Sequence, residues 1–445
     1  MDGVDTPISG FSTLLRVHRT RSGLTQRQLA DFSTISERAI RDLESGRVRH
    51  PRRDTVQLIA DGLRLGPRAR AELHEAAHAG RLGGRLAADL DADPPGPPRA
   101  PRPIIARETI TATLRAQLTT GTERLVGITG LRGVGKTRLA VEVATRLREE
   151  RLPVLWHAFP DDVENEYGPP SGPDGLPAVV GAAAGHLYGP AATAADLTAD
   201  DAADDLVALV ADRPALLVVD GAKGPARPGR VAQLLRDCPG LRVLTTSERA
   251  PGVPGERVHT LYPLEIPAPG LESDPDRLRQ VPSVRVLLAE IDRVRPDYRL
   301  TAADSPAVAD ICRTVDGMPA ALRAAAWWLA VYDLATLRRC LSEPGGLLGH
   351  LACADDGARV RDGVERRVGA LTGDETRILG TLAAGDGDFD LTEAADRTGL
   401  TLAHCGRVLR GLLQNGLVCP ASVRRPEDNR FRVLNLARAA WSPAC

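Results

Sequence analysis

The sequence has almost no lysine, few aromatic residues and no long hydrophobic run. Only Lys136 and Lys223 among its 57 lysines and arginines are lysines, and aromatic residues make up 3% of the chain. Arginine takes the place of lysine nearly everywhere, as in GC-rich bacterial sequences, so both lysines are candidates for a functional role. The longest apolar stretch, near 324–332, is far shorter than the roughly 20 residues of a membrane-spanning helix. We therefore expect neither a membrane segment nor a membrane partner.

Cysteine patterns typical of zinc sites and disulfide frameworks are also missing. The seven cysteines are scattered, odd in number and without a C-x-x-C pair. The N-terminus has no basic segment followed by an apolar one, so no secretory signal is predicted. These features predict a cytoplasmic protein. The formal net charge of −1 excludes a polycation, so any nucleic-acid surface must be local.

The chain is long enough for several domains, and proline marks the clearest boundary between them. Its 445 residues suffice for about two to four domains. Six of the ten residues at 94–103 are proline, which predicts a semi-rigid extended linker. A second Pro/Gly-rich stretch at 168–177 predicts a surface loop. The linker separates a small N-terminal unit from a larger body.

The first part of the body alternates strand-like and helix-like segments. This alternation predicts βαβ units and a parallel sheet. The predicted strands are 125–129, 152–159, 215–220 and 241–247. Beyond about residue 280, apolar spacing near 3.6 predicts helices. From about 372 the pattern predicts three helices and then a β-hairpin, with strands at 416–423 and 430–436.

The N-terminal unit is predicted to contain five short helices over 11–80, two of which are joined by a tight turn at 33–35. Thr25 and Ser36 can cap these helices, the second of which spans 37–44. Segment 16–53 contains ten arginines and four acids, a local charge of +6. The second helix would present side chains to base edges, and the arginines after it would reach phosphates. The candidate DNA-binding residues are Thr25, Gln26, Ser36, Glu37, Arg38, Arg41, Arg47, Arg49, Arg52 and Arg53.

This segment resembles the Cro/C1-type (XRE) helix-turn-helix family. The patterns T-Q-x-x-L-A and I-S-x-x-x-I-x-x-L-E-x-G stand at 25–30 and 35–46. Thr34 occupies the turn position where the family usually has glycine, which predicts a strained backbone there. The resemblance implies a double-stranded DNA operator as partner. The alternative is a helical protein–protein module with a solvated basic face.

A glycine-rich loop follows the first predicted strand. The sequence from Gly130 to Thr137, GLRGVGKT, fits G-x-x-x-x-G-K-[ST] between a strand and a helix. Gly130, Gly133 and Gly135 allow backbone N–H groups to surround phosphate oxygens, and Lys136 can reach the β- and γ-phosphates. The Thr137 hydroxyl can bind Mg²⁺. The sequence therefore predicts ATP or ADP with Mg²⁺, and the alternative is a chance Gly-rich turn.

Further motifs resemble the NB-ARC family of STAND NTPases, especially actinobacterial regulators with an N-terminal helix-turn-helix. They are R-E at 107–108, LLVVD at 216–220, TTSER at 245–249 and DGMPAAL at 316–322, and the resemblance covers 103–441. It implies that Asp220 binds Mg²⁺, that Arg107 and Pro319 lie near the adenine, and that Arg249 reads the γ-phosphate. Ala106 replaces a family glycine, and the usual S-R-E order stands here as S-E-R. The candidate nucleotide-binding residues are Arg107, Gly130, Arg132, Gly133, Val134, Gly135, Lys136, Thr137, Arg138, Asp220, Arg249 and Pro319, with Thr137 and Asp220 also binding the metal.

Two departures from the family concern hydrolysis and ADP binding. The acid that relatives often carry three residues after the Walker aspartate is Lys223 here, which predicts very slow hydrolysis. Asp161, Asp162 or Glu164 is an alternative source of that acid. The family's M-H-D element stands as V-L-N at 433–435, so its histidine contact to ADP is missing.

We predict a multidomain protein. Its units are an all-α helix-turn-helix domain (1–80), a Pro-rich linker (81–104), an α/β P-loop NTPase domain with a parallel sheet (105–265), a helical subdomain (266–350) and a C-terminal winged helix (351–445). The third winged-helix helix, about 401–415, exposes His404, Arg407 and Arg410, which favours intramolecular packing over a second DNA contact.

The predicted function is nucleotide-regulated transcription, in which ATP or ADP controls DNA binding or assembly. A homo-oligomer and a protein sensor are further candidate partners. The alternatives are an oligomerising signalling or defence scaffold, an NTP-hydrolysing enzyme, and a constitutive DNA binder with a vestigial nucleotide site.

Overall fold

A computed structural model gives the conformation of much of the chain. It describes residues 11–45, 51–70, 73, 74, 76, 77, 96–100, 102–159, 180, 181, 183, 184, 187, 206, 207, 209, 210, 212–222, 227–385, 387–421 and 429–441. Several predicted residues lie outside these ranges, namely Arg47, Arg49, Asp161, Asp162, Glu164 and Lys223, as do the loop at 168–177 and the side chain of Arg53.

The N-terminal unit is helical. Its helices with described bounds are α1 (Phe11–Arg21), α2 (Gln26–Ser33), α3 (Glu37–Glu44) and α4 (Arg53–Gly62). The predicted caps are confirmed: Thr25 forms a capping box with Gln28 at the start of α2, and Ser36 accepts a hydrogen bond from the Ala39 N–H at the start of α3. Each of these helices buries at least one apolar side chain completely in the shared core, for example Leu15, Leu29, Ile40 and Ile59.

A five-stranded parallel sheet forms the centre of the body. Its strands are β1 (Leu125–Thr129), β2 (Val154–Ala158), β3 (Ala215–Ala222), β4 (Leu241–Ser247) and β5 (Arg257–Thr260), in the order β2-β3-β4-β1-β5. The four predicted strands and their parallel pairing are confirmed. The short edge strand β5 was not predicted, because its sequence RVHT is mostly polar and half-exposed.

Of the helices whose bounds the structure describes, three pack on this sheet: α5 (Glu108–Thr120), α6 (Lys136–Glu149) and α7 (Pro228–Asp237). Side chains of β1 alternate between two hydrophobic clusters, with Leu125 in one and Val126 and Ile128 in the other. After β1 the chain crosses to β2, at one edge of the sheet. After β4 it crosses in the opposite direction, past β1, to β5 at the other edge. The carboxyl ends of β1 and β4 therefore mark the point where the strand order reverses, which is where ligands bind in open α/β sheets.

The chain beyond the sheet is mostly helical. Its first part contains α8 (Pro275–Leu278), α9 (Pro282–Val294), α10 (Ser305–Thr314), α11 (Pro319–Trp328), α12 (Leu334–Ser342), α13 (Gly346–Ala352) and α14 (Asp355–Gly369). Their buried side chains belong to the same hydrophobic cluster as one face of the sheet. Among the residues described, none of the helices has the length and apolar character needed to cross a membrane.

The C-terminal part contains three helices, a short hairpin and a last helix. These are α15 (Gly373–Ala384), α16 (Leu391–Thr398), α17 (Leu402–Gln414), β6 (Val418–Pro420), β7 (Phe431–Val433) and α18 (Asn435–Trp441). The prediction of a strand over 430–436 was wrong at its end, because α18 begins at Asn435. Buried contacts turn the chain there: the Leu436 N–H bonds the Asp316 carboxylate, and Trp441 packs against Gly380.

The end of the Pro-rich linker lies against the body. Ala100 and Ile104 pack on the main hydrophobic cluster, and Arg102 Nη1 donates to Glu290 Oε1 at 2.9 Å. Gly96 leaves space for the guanidinium of Arg148. The second half of the linker is therefore part of the packed body, in addition to the spacer function that its proline content predicts.

Candidate functional site

Helix α3 presents a polar face to solvent. It buries Ile40 and Leu43, whereas 89% of the Arg38 side chain is exposed. Arg41 Nη2 lies 2.9 Å from Glu37 Oε1, four residues earlier on the same exposed face. Arg38 and Arg41 thus lie one turn apart on the outward side, the position from which a recognition helix reads base edges.

The remaining predicted DNA-binding residues that the structure describes lie around α3. Thr25, Ser36 and Arg52 are exposed at the starts of α2, α3 and α4. Gln26 differs, because its side-chain amide donates to Glu44 Oε2 at 2.7 Å. Its side chain is therefore half-buried and directed toward the end of α3.

The same Glu44 carboxylate also binds Arg19. Arg19 Nε lies 2.5 Å from Glu44 Oε1, and only 4% of the Glu44 side chain is exposed. Because Glu44 also accepts from Gln26, one carboxylate ties α1, α2 and α3 together. Sequence reasoning missed this network, although the glutamate of the L-E-x-G pattern was the available signal.

The turn between α2 and α3 adopts the left-handed conformation that favours glycine, although Thr34 occupies this position. Thr34 has a φ of 57° and a left-handed backbone. Its N–H donates to the Ala30 carbonyl, and its hydroxyl donates to the Ser33 carbonyl at 2.6 Å. These bonds satisfy polar groups at the end of α2 and offset part of the steric cost of a non-glycine residue.

The glycine-rich loop lies at the carboxyl end of β1, beside the reversal of strand order. Gly130, Gly133 and Gly135 have φ values of 149°, 79° and 99°. A side chain at Gly130 or Gly133 would also collide with neighbouring atoms. Helix α6 begins at Lys136, and Gly135 has no side chain to cap it. A helix N-terminus without a side-chain cap behind a loop of this shape suits the binding of an anion.

Lys136 folds back over the loop. Its Nζ donates to the carbonyls of Gly130 and Leu131, both at 3.0 Å. Burial lowers the pKa of Lys136 to about 8, while the charges of Glu248 and Asp220 oppose that shift. The amine is therefore mostly protonated at neutral pH, and these two bonds hold its positive charge at the glycine-rich loop.

Asp220, at the end of β3, joins the loop to the neighbouring strand. Its Oδ1 accepts from the Thr137 hydroxyl at 2.8 Å and from the Thr246 hydroxyl at 2.5 Å. Thr246 in turn accepts from the Gly221 N–H at 2.9 Å. A buried carboxylate beside a loop hydroxyl is a donor set that suits Mg²⁺, a hard cation that prefers oxygen ligands. Sequence reasoning missed Thr246, whose role depends on β4 lying between β1 and β3.

Two further predicted residues border the loop. Arg107 Nη2 donates to the Tyr262 carbonyl at 2.7 Å and to the Val134 carbonyl at 3.4 Å. Burial lowers the pKa of Arg107 to about 10. Pro319 starts α11, and the N–H of the next residue, Ala320, donates to the Gly133 carbonyl at 3.1 Å. The segment at 107 and the start of α11 thus contact neighbouring residues of the loop.

Glu248 turns toward the loop, whereas Arg249 is exposed. Arg132 Nε of the loop lies 3.3 Å from Glu248 Oε1. Arg366 and Arg367 of α14 lie 3.6 Å from the same carboxylate. In the S-E-R sequence at 247–249, Glu248 rather than Arg249 is therefore the residue that connects β4 to the loop and to α14. Arg138, the last loop candidate, is half-buried in the first turn of α6.

The predicted counterpart of the M-H-D element docks on the connection between α10 and α11. Leu434 is fully buried, and Asn435 Nδ2 donates to the Arg313 carbonyl at 2.9 Å. Asp316 accepts from Arg432 Nη1 at 2.8 Å and from the Leu436 N–H at 2.9 Å. The C-terminal unit is thus fixed to the turn that precedes Pro319.

Comparison with known proteins identifies the N-terminal unit. The model of a family described as a helix-turn-helix domain matches residues 11–73, and this part of the chain is a helix-turn-helix domain. The chain is 30% identical over 216 residues to an uncharacterized protein of Mycobacterium tuberculosis, covering 46% of this chain and 45% of that protein. It is 30% identical over 205 residues to another protein of that organism, provisionally named an HTH-type transcriptional regulator. That match covers 46% of this chain and 20% of the regulator. The chain therefore spans less than half the length of these relatives.

Solved structures offer only distant matches. A Drosophila ORC structure bound to DNA covers 81% of this chain and 90% of its own, with 12% identity and a TM-score of 0.24. The match to NtrX from Brucella abortus in complex with ATP covers 78% of this chain and 75% of the NtrX chain, also with 12% identity and a TM-score of 0.24. Scores this low support no statement about the fold or ligands of this chain.

Proposed function

We propose that this chain is a DNA-binding transcriptional regulator whose body binds ATP or ADP, and that the bound nucleotide controls DNA binding or assembly. The helix-turn-helix domain and the exposed arginines of α3 support the DNA part of this proposal. The loop at the carboxyl end of β1 supports the nucleotide part, and it is the observation that carries the proposal. It combines left-handed glycines, an uncapped helix start and a lysine amine in one place.

The body is proposed to be a P-loop NTPase domain of the NB-ARC type. Lys136 would bind the β- and γ-phosphates, and the loop N–H groups would surround the phosphate oxygens. Thr137 and Asp220 would hold Mg²⁺, which supplies charge neutralisation to the phosphates when bound. Arg107 and the start of α11 at Pro319 border the loop, where the adenine side of the nucleotide would lie.

The proposed site is an ATP or ADP switch rather than a fast hydrolase. Hydrolysis needs a group that orients or deprotonates the attacking water. Two acids among the described residues lie at this edge of the sheet, and both already bind side chains: Asp220 accepts from Thr137, and Glu248 pairs with arginines. We therefore expect slow turnover and purified protein that carries nucleotide, more often ADP.

The C-terminal unit is proposed to be a winged helix that packs within the molecule. Its helices α15 to α17 and the β6–β7 hairpin have the order of that motif. Gly416, after α17, lies close to Leu131 of the glycine-rich loop, and Gly363 of α14 lies close to Arg132. These contacts connect the end of the chain to the proposed nucleotide site, through which nucleotide could act on assembly.

Calorimetric titration of the full chain with ATP and with ADP tests the nucleotide part. Lys136→Ala removes the main loop cation and should weaken both affinities at least about tenfold, or about 1.4 kcal/mol. Arg146→Ala is a matched control, because Arg146 lies on the same helix and pairs with Glu142 on the surface. Equal affinities for the wild type and Lys136→Ala would show that the loop has only a structural role.

Genome-wide DNA capture with and without nucleotide tests the regulatory part. Nucleotide-dependent occupancy of specific sites is expected. A constitutive DNA binder with a vestigial nucleotide site is the second candidate, which the engagement of Lys136 by two loop carbonyls favours. Specific DNA occupancy together with no measurable nucleotide binding would select this second candidate.

A further inference from the structure

The Glu248 carboxylate is shared by arginines from two different parts of the chain. Arg132 comes from the glycine-rich loop, and Arg366 and Arg367 come from the last turns of α14. Three guanidinium groups face one carboxylate, which leaves an excess of positive charge in this group. The Glu248 carboxylate neutralises part of the positive charge that these arginines would otherwise present beside the proposed phosphate loop.

The most buried of these arginines fixes the geometry of the group. Only 3% of the Arg367 side chain is exposed, and its Nη2 donates to the backbone carbonyl of Glu248 at 2.6 Å. Its Nη1 donates to the Asn415 carbonyl at 3.0 Å, which connects the group to the end of α17. Arg366 is different, because 56% of its side chain is exposed and it can turn toward a new partner.

The charge of Glu248 also affects the pKa of Lys136 in the glycine-rich loop. Among neighbouring acids, its charge is the one that opposes the lowered pKa of Lys136 most strongly, ahead of Asp220. Lys136 is the residue proposed to reach the β- and γ-phosphates. A third phosphate at Lys136 would therefore bring additional negative charge close to the Glu248 carboxylate, and like charges in a partly buried site repel strongly.

We propose that Glu248 determines nucleotide specificity, making the site favour a nucleoside diphosphate over a nucleoside triphosphate. Its carboxylate occupies the arginines that a third phosphate would need, and it places a like charge beside that phosphate. To bind the arginine cluster of Arg132, Arg366 and Arg367, the third phosphate must displace the Glu248 carboxylate from its ion pairs. This inference rests on the proposed nucleotide site and concerns only which nucleotide that site prefers.

Titration calorimetry with Mg-ADP and Mg-ATP on the full chain tests the inference. Glu248→Gln keeps the shape of the side chain and removes its charge, so the affinity for ATP relative to ADP should rise about tenfold. Glu272→Gln is the matched control, because Glu272 pairs with Arg313 away from the loop. A relative affinity that changes less than twofold in Glu248→Gln, with ADP binding intact, would overturn the proposal.

A second variant covers the case in which Glu248→Gln does not fold. Arg366→Gln changes a largely exposed side chain and should lower ATP affinity several-fold while changing ADP affinity less. Equal losses for both nucleotides would contradict the assignment of Arg366 to the third phosphate. Failure of the wild type to bind either nucleotide would instead reject the nucleotide site itself, so the two failures are distinguishable.

Discussion

Replacing Asp316 with asparagine tests how strongly the C-terminal unit is held. Asp316 is fully buried, and its partner Arg432 has a side chain that is 13% exposed. The carboxylate accepts from Arg432 Nη1 at 2.8 Å and from the Leu436 N–H at 2.9 Å. Asparagine tolerates the left-handed backbone at this position, where φ is 58°, and it keeps an acceptor for the N–H. The substitution therefore removes the charge and little else.

Removal of one member of a buried ion pair typically costs about 3–5 kcal/mol, because the other charge is left buried without a partner. For a unit of about 150–250 residues, each kcal/mol lowers the melting temperature by roughly 2–4 °C. We therefore expect Asp316→Asn to lower the transition of the helical half by roughly 6–20 °C. Differential scanning calorimetry of the full chain measures this shift.

Two controls separate the ion pair from general effects of substitution. Asp374→Asn changes an exposed acid that lies 3.8 Å from Arg377, and it should shift stability by less than about 0.5 kcal/mol. Adding Arg432→Met to Asp316→Asn removes the orphaned charge and should recover part of the loss. A melting temperature for Asp316→Asn within about 2 °C of the wild type would refute the reasoning.

Three further predictions concern DNA, pH and the backbone. Replacing both Arg38 and Arg41 with alanine should abolish specific operator binding in gel-shift assays, because a base contact contributes about 1–3 kcal/mol. Nucleotide affinity should stay the same. An unchanged gel shift would exclude α3 as the recognition helix. Nucleotide affinity should fall as the pH rises through about 8, because the pKa of Lys136 is lowered and its positive charge is lost there. Calorimetry at about pH 7 and pH 9 should show this fall in the wild type but not in Lys136→Ala, and equal pH profiles would contradict it. Ala106→Gly should raise stability by about 0.5–1 kcal/mol, because Ala106 has a φ of 59°, and a lower melting temperature would show that other contacts favour alanine there.

Local features of the sequence predicted the local structure well. The caps Thr25 and Ser36, the start and end of α3 and the strands β1 to β4 follow from side-chain hydrogen bonding and apolar patterning within short windows. The spacing of Gly130, Gly133 and Gly135 likewise predicted a glycine-rich loop between β1 and α6, and all three glycines have a positive φ there. Two short elements escaped prediction. Strand β5 has a polar sequence, and α18 begins where the apolar pattern still favoured a strand.

Contacts between distant residues were decided only by the tertiary structure. Gln26 was predicted to face DNA, but its amide donates to Glu44, which also binds Arg19. Asp316 meets Arg432 across 116 positions of sequence, and Glu248 meets Arg367 across 119. Hydrogen bonding and apolar periodicity within a short window depend on neighbours in the chain, so a sequence reveals them. The partner of a buried charge depends instead on which elements pack together, and an arginine-rich sequence offers too many equivalent partners for the choice to be made before the fold is known.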